Sequence, residues 1–133
     1  MNETNIKASF RILSEEDILN VISQKLGVLP TSVWKKGDPI RDTGNAFSYT
    51  AWQYDTDVYA ALDINVPLQA LEELFCPLCN KIVEIKSLYD VDVCLDIVVV
   101  IEDKVSPAMC LKQSIIEFAA KVGARIDFDV YVN

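Results

Sequence analysis

Two cysteines separated by two residues form the sharpest local motif of the sequence, Cys76-Pro77-Leu78-Cys79. Thiolates at this spacing can share a tetrahedral zinc ion, but such a site needs two further ligands and only Cys94 and Cys110 remain. The pair could instead be a redox dithiol at the start of a helix, although such a pair usually follows a strand. The third interpretation is two small apolar side chains near a helix bend, because free cysteine is often buried.

Histidine is absent from the sequence, and this absence excludes several kinds of active site. Serine–histidine and cysteine–histidine nucleophile pairs cannot form, and no metal can be held by imidazole. The four scattered glycines cannot form a phosphate-binding loop. A carboxylate pair could still transfer protons, but no pocket can be identified from sequence. We therefore expect a protein that is not an enzyme and that requires no metal or other cofactor.

A long connection over residues 28–46 contains the segment Trp34-Lys35-Lys36-Gly37-Asp38. Long connections inside a compact domain are often functional, and aromatic and cationic side chains on such a loop can bind a partner. Alternatively, the tryptophan packs the loop onto the sheet while the lysines stay in solvent. The candidate partner-binding residues here are Trp34, Lys35, Lys36 and Asp38, together with Trp52 further along the chain.

Acidic residues occupy alternate positions of two predicted strands near the end of the chain. Alternate residues of a strand share one face of the sheet, and the same face should carry Lys7 and Arg11 of the first strand. This face could bind a partner or a cation, or it could be a solvated surface with cross-strand charge pairs. Its candidate partner-binding residues are Asp96, Asp127, Asp129 and Tyr131.

The composition describes one acidic domain of ordinary size, with 133 residues and a formal net charge of −8. A hydrophobic fraction of 51% is sufficient for a packed core. Because nucleic acids and anionic membranes repel an acidic surface, neither is an expected partner. The polar start of the chain does not resemble a secretory signal, and no apolar run is long enough to cross a membrane. We expect a cytoplasmic protein with reduced thiols.

Hydrophobic periodicity predicts four strands and three helical stretches. Alternating apolar residues predict strands over residues 5–13, 91–102 and 125–132, and β-like composition predicts another over residues 47–54. Helical spacing predicts helices over residues 15–26, 66–88 and 108–123. Ser14 is the expected N-cap of the first helix. Gly27 and Gly123 are the expected C-caps of the first and last helices. Pro77 lacks a backbone N–H and therefore predicts either a kink in the middle helix or two short helices.

Strands with one apolar and one charged face predict a sheet that is covered by helices on one face only. Two strand–helix–strand halves are the plan of the ferredoxin-like fold. We therefore expect a single globular α+β domain over residues 1–133. The predicted arrangement is a two-layer, ferredoxin-like sandwich: a four-stranded sheet, two helices on one face, and an additional kinked helix between strands 2 and 3.

Several motifs together resemble one protein family. In chain order they are Ser9-Phe10-Arg11-Ile12, Leu26-Gly27-Val28-Leu29-Pro30-Thr31, Trp34-Lys35-Lys36-Gly37-Asp38, Trp52, and the final strand Ile126-Asp127-Phe128-Asp129-Val130-Tyr131-Val132. This combination resembles the bacterial domain-of-unknown-function 4279 family over nearly the whole chain. The resemblance implies a small bacterial cytoplasmic protein, and some members look like immunity proteins that neutralise toxins. It implies no catalytic residues, and the Cys76–Cys79 pair lies outside its pattern.

The leading hypothesis is a non-enzymatic protein-binding module, of the type of an immunity inhibitor, whose partner is a basic toxin or another protein. An acidic surface would speed association with a basic partner. The alternative is a zinc-binding or redox protein that uses the thiols of Cys76 and Cys79. The sequence leaves both a monomer and a homodimer open.

Overall fold

A computed structural model describes residues 2–133 as one mixed sheet with helices. In chain order the elements are β1 (Asn5–Ser14), α1 (Leu19–Leu26), β2 (Ser32–Trp34), β3 (Thr50–Asp55), α2 (Asn65–Phe75), a 3₁₀ turn (Cys76–Leu78), α3 (Cys79–Leu88), β4 (Val91–Ile101), α4 (Gln113–Val122) and β5 (Ala124–Val132). The expected α+β class is confirmed.

The sheet has the strand order β2-β3-β1-β4-β5. β1 lies in the middle and pairs antiparallel with both β3 and β4. β2 pairs antiparallel with β3 at one edge. β5 pairs parallel with β4 at the other edge, and α4 makes the crossover that a parallel neighbour requires. The longest strands therefore occupy the centre and one edge of the sheet.

The core lies between one face of the sheet and the helices. Alternate residues of β1, from Ile6 to Ile12, are fully buried on this face, and Trp52 of β3 and Leu95 of β4 lie beside them. The helices contribute the apolar side of their surfaces, including Leu71 and Phe75 of α2. Burial of these side chains supplies the main favourable term in folding, and it leaves the opposite face of the sheet without helices.

The predicted four-stranded, ferredoxin-like arrangement is wrong in two respects. The connection over residues 28–46 contains a short fifth strand, β2, whose three residues are too few to show a period. In a ferredoxin-like sheet the parallel strands of each half are separated by another strand, whereas here β4 and β5 are direct neighbours. The kinked helical stretch lies between β3 and β4, which are the second and third of the four predicted strands.

The helix ends follow the backbone chemistry of glycine and proline. Gly27 and Gly123 end α1 and α4 in the left-handed conformation, with φ of 68° and 63°, which glycine adopts without steric cost. Pro77 lies in the 3₁₀ turn that separates α2 from α3, so of the two expected outcomes the structure shows two short helices. The predicted N-cap is wrong: Ser14 ends β1, its Oγ accepts a hydrogen bond from the Glu16 N–H, and α1 begins at Leu19.

Candidate functional site

The sheet face that carries no helix is the candidate site, and we call it the open face. The register aligns Ser9 with Asp55 of β3 and Asp96 of β4. It likewise aligns Asp96 with Asp127 of β5. Because side chains alternate along a strand, Lys7 and Arg11 of β1 and Asp129 and Tyr131 of β5 point to this same side. The register thus places the predicted polar residues of β1, β4 and β5 on one face.

A chain of hydrogen bonds crosses the middle of the open face. Asp55 accepts hydrogen bonds from Ser9, from Thr31 at 2.9 Å and from Gln53 at 2.8 Å. Burial alone would raise the pKa of Asp55, but these donors lower it overall because they stabilise the carboxylate. The side chain of Arg11 continues the chain, with Nε donating to Gln53 Oε1 at 2.8 Å. The network therefore holds a carboxylate and a guanidinium in fixed positions.

Arg11 is the central cation of the open face. Its Nη2 lies 3.4 Å from Asp96 Oδ2, and the two side chains are only 22% and 10% exposed. Burial raises the pKa of Asp96, Arg11 opposes this shift, and the neighbouring Asp129 and Asp127 reinforce it, so the net direction is upward. The charge of Asp96 thus depends on Arg11 for its stabilisation.

Trp34 joins the open face to the loop that follows β2. Its ring stacks on Phe47 with centroids 5.1 Å apart, and the guanidinium carbon of Arg11 lies 5.6 Å from the Trp34 centroid. Trp34 Nε1 is buried, and no hydrogen-bond partner is found for it among the described residues. The ring is therefore half-buried between a loop residue and the central cation, as the packing interpretation of this segment predicts.

The other loop candidates are engaged within the chain. Lys35 Nζ lies 3.1 Å from Asp17 Oδ2, and Lys36 pairs with Glu15, so both lysines tie the loop to the β1–α1 connection. Asp38 accepts a hydrogen bond from the Lys35 N–H at 2.9 Å. These groups remain largely exposed, so the ion pairs contribute little to stability.

Trp52 lies on the opposite side of the sheet, at 0% exposure in the core. Its indole N–H donates to Ser23 Oγ at 3.0 Å, and its ring meets Phe10 and Phe75 edge to face. Trp52 therefore belongs to the packing of α1 and α2 on the sheet, and it reaches no partner-binding surface.

The β4–β5 side of the open face is acidic. Asp127 accepts hydrogen bonds from Cys94 Sγ at 3.1 Å and from Arg125 Nε at 3.0 Å, and these donors lower its pKa. Asp129 and Tyr131 are exposed, and among residues 2–133 no ion pair of Asp129 is found. This side can therefore offer a free carboxylate beside a phenol.

A small pocket of about 200 Å³ continues the acidic surface at one end of the open face. Its lining includes three carboxylates, an aromatic ring and one cation: Glu15, Asp90, Asp92, Tyr49 and Arg125. Asp90 and Asp92 are exposed, and within the described part of the chain neither forms an ion pair. Carboxylates therefore outnumber cations in the lining of this pocket.

A family model describes the same stretch of chain, since the domain of unknown function DUF4279 matches residues 3–133. The chain belongs to this family. The match confirms the resemblance noted from the sequence motifs. A comparison with curated proteins found no match, and a comparison with solved structures also found none.

The two cysteines of the CxxC motif lie outside the open face of this DUF4279 domain. Cys76 is exposed in the 3₁₀ turn, and Cys79 is buried at the start of α3. Burial raises the pKa of the Cys79 thiol, and Cys76 raises it further, so Cys79 stays protonated rather than becoming a nucleophile. In the span 2–133, no group of three or more His, Cys, Asp or Glu side chains is placed to hold a metal ion.

Thiol labelling should separate the four cysteines into two classes. Cys76 and Cys110 are exposed and are expected to react with Ellman's reagent in the folded protein. Cys79 and Cys94 should react only on unfolding, because both are buried and because burial and Asp127 raise the pKa of Cys94 to about 12. Labelling followed by peptide mass mapping measures this, with the urea-unfolded chain as the reference. Rapid native labelling of Cys79 would revive the thiol hypothesis.

Sequence reasoning missed most of the hydrogen-bond network on the open face. Asp55, Gln53 and Thr31 were not candidates, because their roles depend on the β2–β3–β1 pairing rather than on a local motif. The alternation of Gln53 and Asp55 with Trp52 and Tyr54 was the available signal.

Among the helices of the described chain, none has the length and apolar character to span a membrane.

Proposed function

We propose that the chain is a non-enzymatic protein-binding module whose acidic open face binds a basic partner. The observation that carries this proposal is a set of exposed carboxylates on the β4–β5 side, Asp90, Asp92 and Asp129, for which no ion pair is found among residues 2–133. Half-buried Val98 pairs with Asp129, and exposed Tyr131 lies two residues further along β5 on the same face, so the surface combines charge with apolar contact area, as protein interfaces do. An immunity-type inhibitor that neutralises a basic toxin in the bacterial cytoplasm is the specific form of this proposal.

Charge on the open face should set both the rate and the salt dependence of binding. Opposite net charges accelerate association, and salt screens this attraction over about 8–10 Å. Partner capture should therefore decline steeply with rising ionic strength. The structure offers an internal comparison, because the acidic residues Glu73 and Glu117 are exposed on the helical side instead.

The test compares two variants that lose the same charge. Untagged protein is isolated gently from its host, native mass spectrometry identifies any second polypeptide, and the binding of that polypeptide is then measured with purified components. Asp92→Asn/Asp129→Asn is expected to weaken binding roughly tenfold or more, about 1.4 kcal/mol. Glu73→Gln/Glu117→Gln should leave the affinity unchanged. Equal affinities of the two variants, or binding that ignores salt, would contradict the proposal.

A further inference from the structure

The two edges of the sheet differ in length and in what they expose. β2 has three residues and β5 has nine, and β5 pairs only with β4 among the strands of the sheet. Proteins usually protect an edge by keeping it short or by placing proline or charged side chains, especially lysine, on it. Over Ala124–Val132, β5 has no lysine or proline. Its charged residues, Arg125, Asp127 and Asp129, all lie on the open face, and the other face of the strand is apolar. The β5 edge is therefore available to pair with another strand.

The outer backbone groups of β5 can be assigned from one hydrogen bond. The N–H of Asn133 donates to the Ile101 carbonyl at 2.9 Å, so the odd-numbered residues at this end of β5 direct their backbone groups toward β4. Successive residues of a strand direct these groups to opposite sides. Phe128, Val130 and Val132 therefore present their N–H and C=O groups outward, along the open edge.

The same residues expose apolar side chains. Phe128, Val130 and Val132 are 41%, 45% and 69% exposed, and Tyr131 on the opposite face is 57% exposed. A second strand along this edge would cover these side chains and satisfy the outward backbone groups together. Among the described residues, the outer edge of β5 thus has neither a hydrogen-bonded neighbouring strand nor an apolar cover.

The charges of β5 select one register of self-pairing. In an antiparallel pair centred on Phe128, Asp127 of each strand would lie opposite Asp129 of the other. In a pair centred on Asp129, the two copies of Asp129 would lie opposite each other. Like charges directly opposite are destabilising. Centring on Val130 instead opposes Asp129 to Tyr131 and Phe128 to Val132. Of the registers that place no two acidic residues opposite each other, this one pairs the longest stretch of the two strands, and it brings the apolar residues together.

We propose that two copies of the chain pair antiparallel through β5, with Val130 on the two-fold axis. Three residues of each strand, Phe128, Val130 and Val132, then exchange backbone hydrogen bonds with the partner copy. The two five-stranded sheets join into one continuous sheet, with all helices on one side. The two open faces adjoin, which brings the acidic surfaces of both copies onto a single face. This inference is independent of whether that face binds a basic protein.

Cysteine cross-linking tests the register directly. In a background of Cys76→Ser/Cys110→Ser, which removes the exposed thiols, Val130→Cys is expected to form a disulfide-linked dimer under mild oxidation. A hydrogen-bonded antiparallel pair has Cα atoms about 5.5 Å apart, within the range of a disulfide. Phe128→Cys alone should not cross-link, because its copies lie about 14 Å apart along the strand direction at 3.4 Å per residue. A mixture of Phe128→Cys and Val132→Cys chains should form the mixed dimer.

The solution mass provides the second measurement. Analytical ultracentrifugation of the unaltered chain is expected to give twice 14.9 kDa, and Val130→Lys should give a folded monomer, with circular dichroism as the folding control. Cross-linking through Phe128→Cys alone would overturn the register. An unaltered chain that is monomeric at high micromolar concentration would overturn the proposed dimer. This holds even if the β5 edge then pairs with a basic strand of another protein.

Discussion

Replacing Phe75 by alanine is expected to lower the free energy of unfolding by about 3–5 kcal/mol. Phe75 is fully buried and lies at the end of α2. Its ring stacks on Phe10 with centroids 4.2 Å apart, and it meets Trp52 and Tyr54 edge to face at 6.2 and 5.5 Å. Truncation removes one partner from each of these aromatic contacts and leaves a cavity that rigid neighbours cannot fill.

Urea unfolding followed by circular dichroism measures this loss. Alanine is a good helix former, so the change reports packing rather than helix propensity. Val83→Ala is the matched control, because Val83 is a helical apolar residue that is 41% exposed; it should change stability by less than about 1 kcal/mol. Since a domain is stabilised by only about 5–15 kcal/mol, a loss below about 1 kcal/mol for Phe75→Ala would show that the aromatic cluster repacks.

The aromatic cluster also shows how far the sequence predicts the fold. Helical spacing identified Phe75 as a core residue, and alternation identified Phe10. Periodicity reports which residues of an element share a face. Trp52 and Tyr54 alternate with Gln53 and Asp55 in β3, but this alternation does not say which of the two faces lies against the helices. The motifs therefore made Trp52 a candidate for partner binding, whereas its pairing with Ile12 of β1 places it on the core side.

Strand order depends on physical terms that local sequence does not contain. Ser32-Val33-Trp34 forms strand β2 because it pairs with β3. The β-propensity of three residues is too weak a signal to predict this pairing from sequence. The position of β5 next to β4 depends on the parallel pairing of these two strands, which lie on either side of α4 in the sequence. The candidate site has the same origin: Arg11 was assigned to the correct face, but its contacts with Gln53, Asp96 and Trp34 come from three other strands.

Replacing Arg11 by methionine is expected to cost about 2–3 kcal/mol at neutral pH, somewhat below the 3–5 kcal/mol for a fully buried ion pair. Methionine keeps much of the aliphatic stem, so the lost groups are the charge and the donors. Asp96, which is buried, then lies near Asp127 and Asp129 without its cation. Gln53 also loses the hydrogen bond from Arg11 Nε.

The pH dependence identifies the part of this cost that belongs to Asp96. The pKa of Asp96 in the folded chain is already above its ordinary value of 3.8, and loss of Arg11 raises it further. Between the unfolded and folded pKa values the folded state binds more protons, so stability falls as pH rises through that window. The cost of Arg11→Met should therefore be smallest near pH 4 and should grow toward pH 7.

A double variant completes the test. Arg11→Met/Asp96→Asn removes the titrating group, so it should recover most of the stability at pH 7 and lose the added pH dependence. Lys7→Met is the matched control, because Lys7 lies on the same strand and face and forms no ion pair among the described residues. Its effect should be small at every pH. The contrary result is a destabilisation by Arg11→Met that is equal at pH 4 and pH 7 and that Asp96→Asn does not relieve. It would show that Arg11 stabilises the fold through its contacts with Gln53 and Trp34, since neither of those groups titrates in this range.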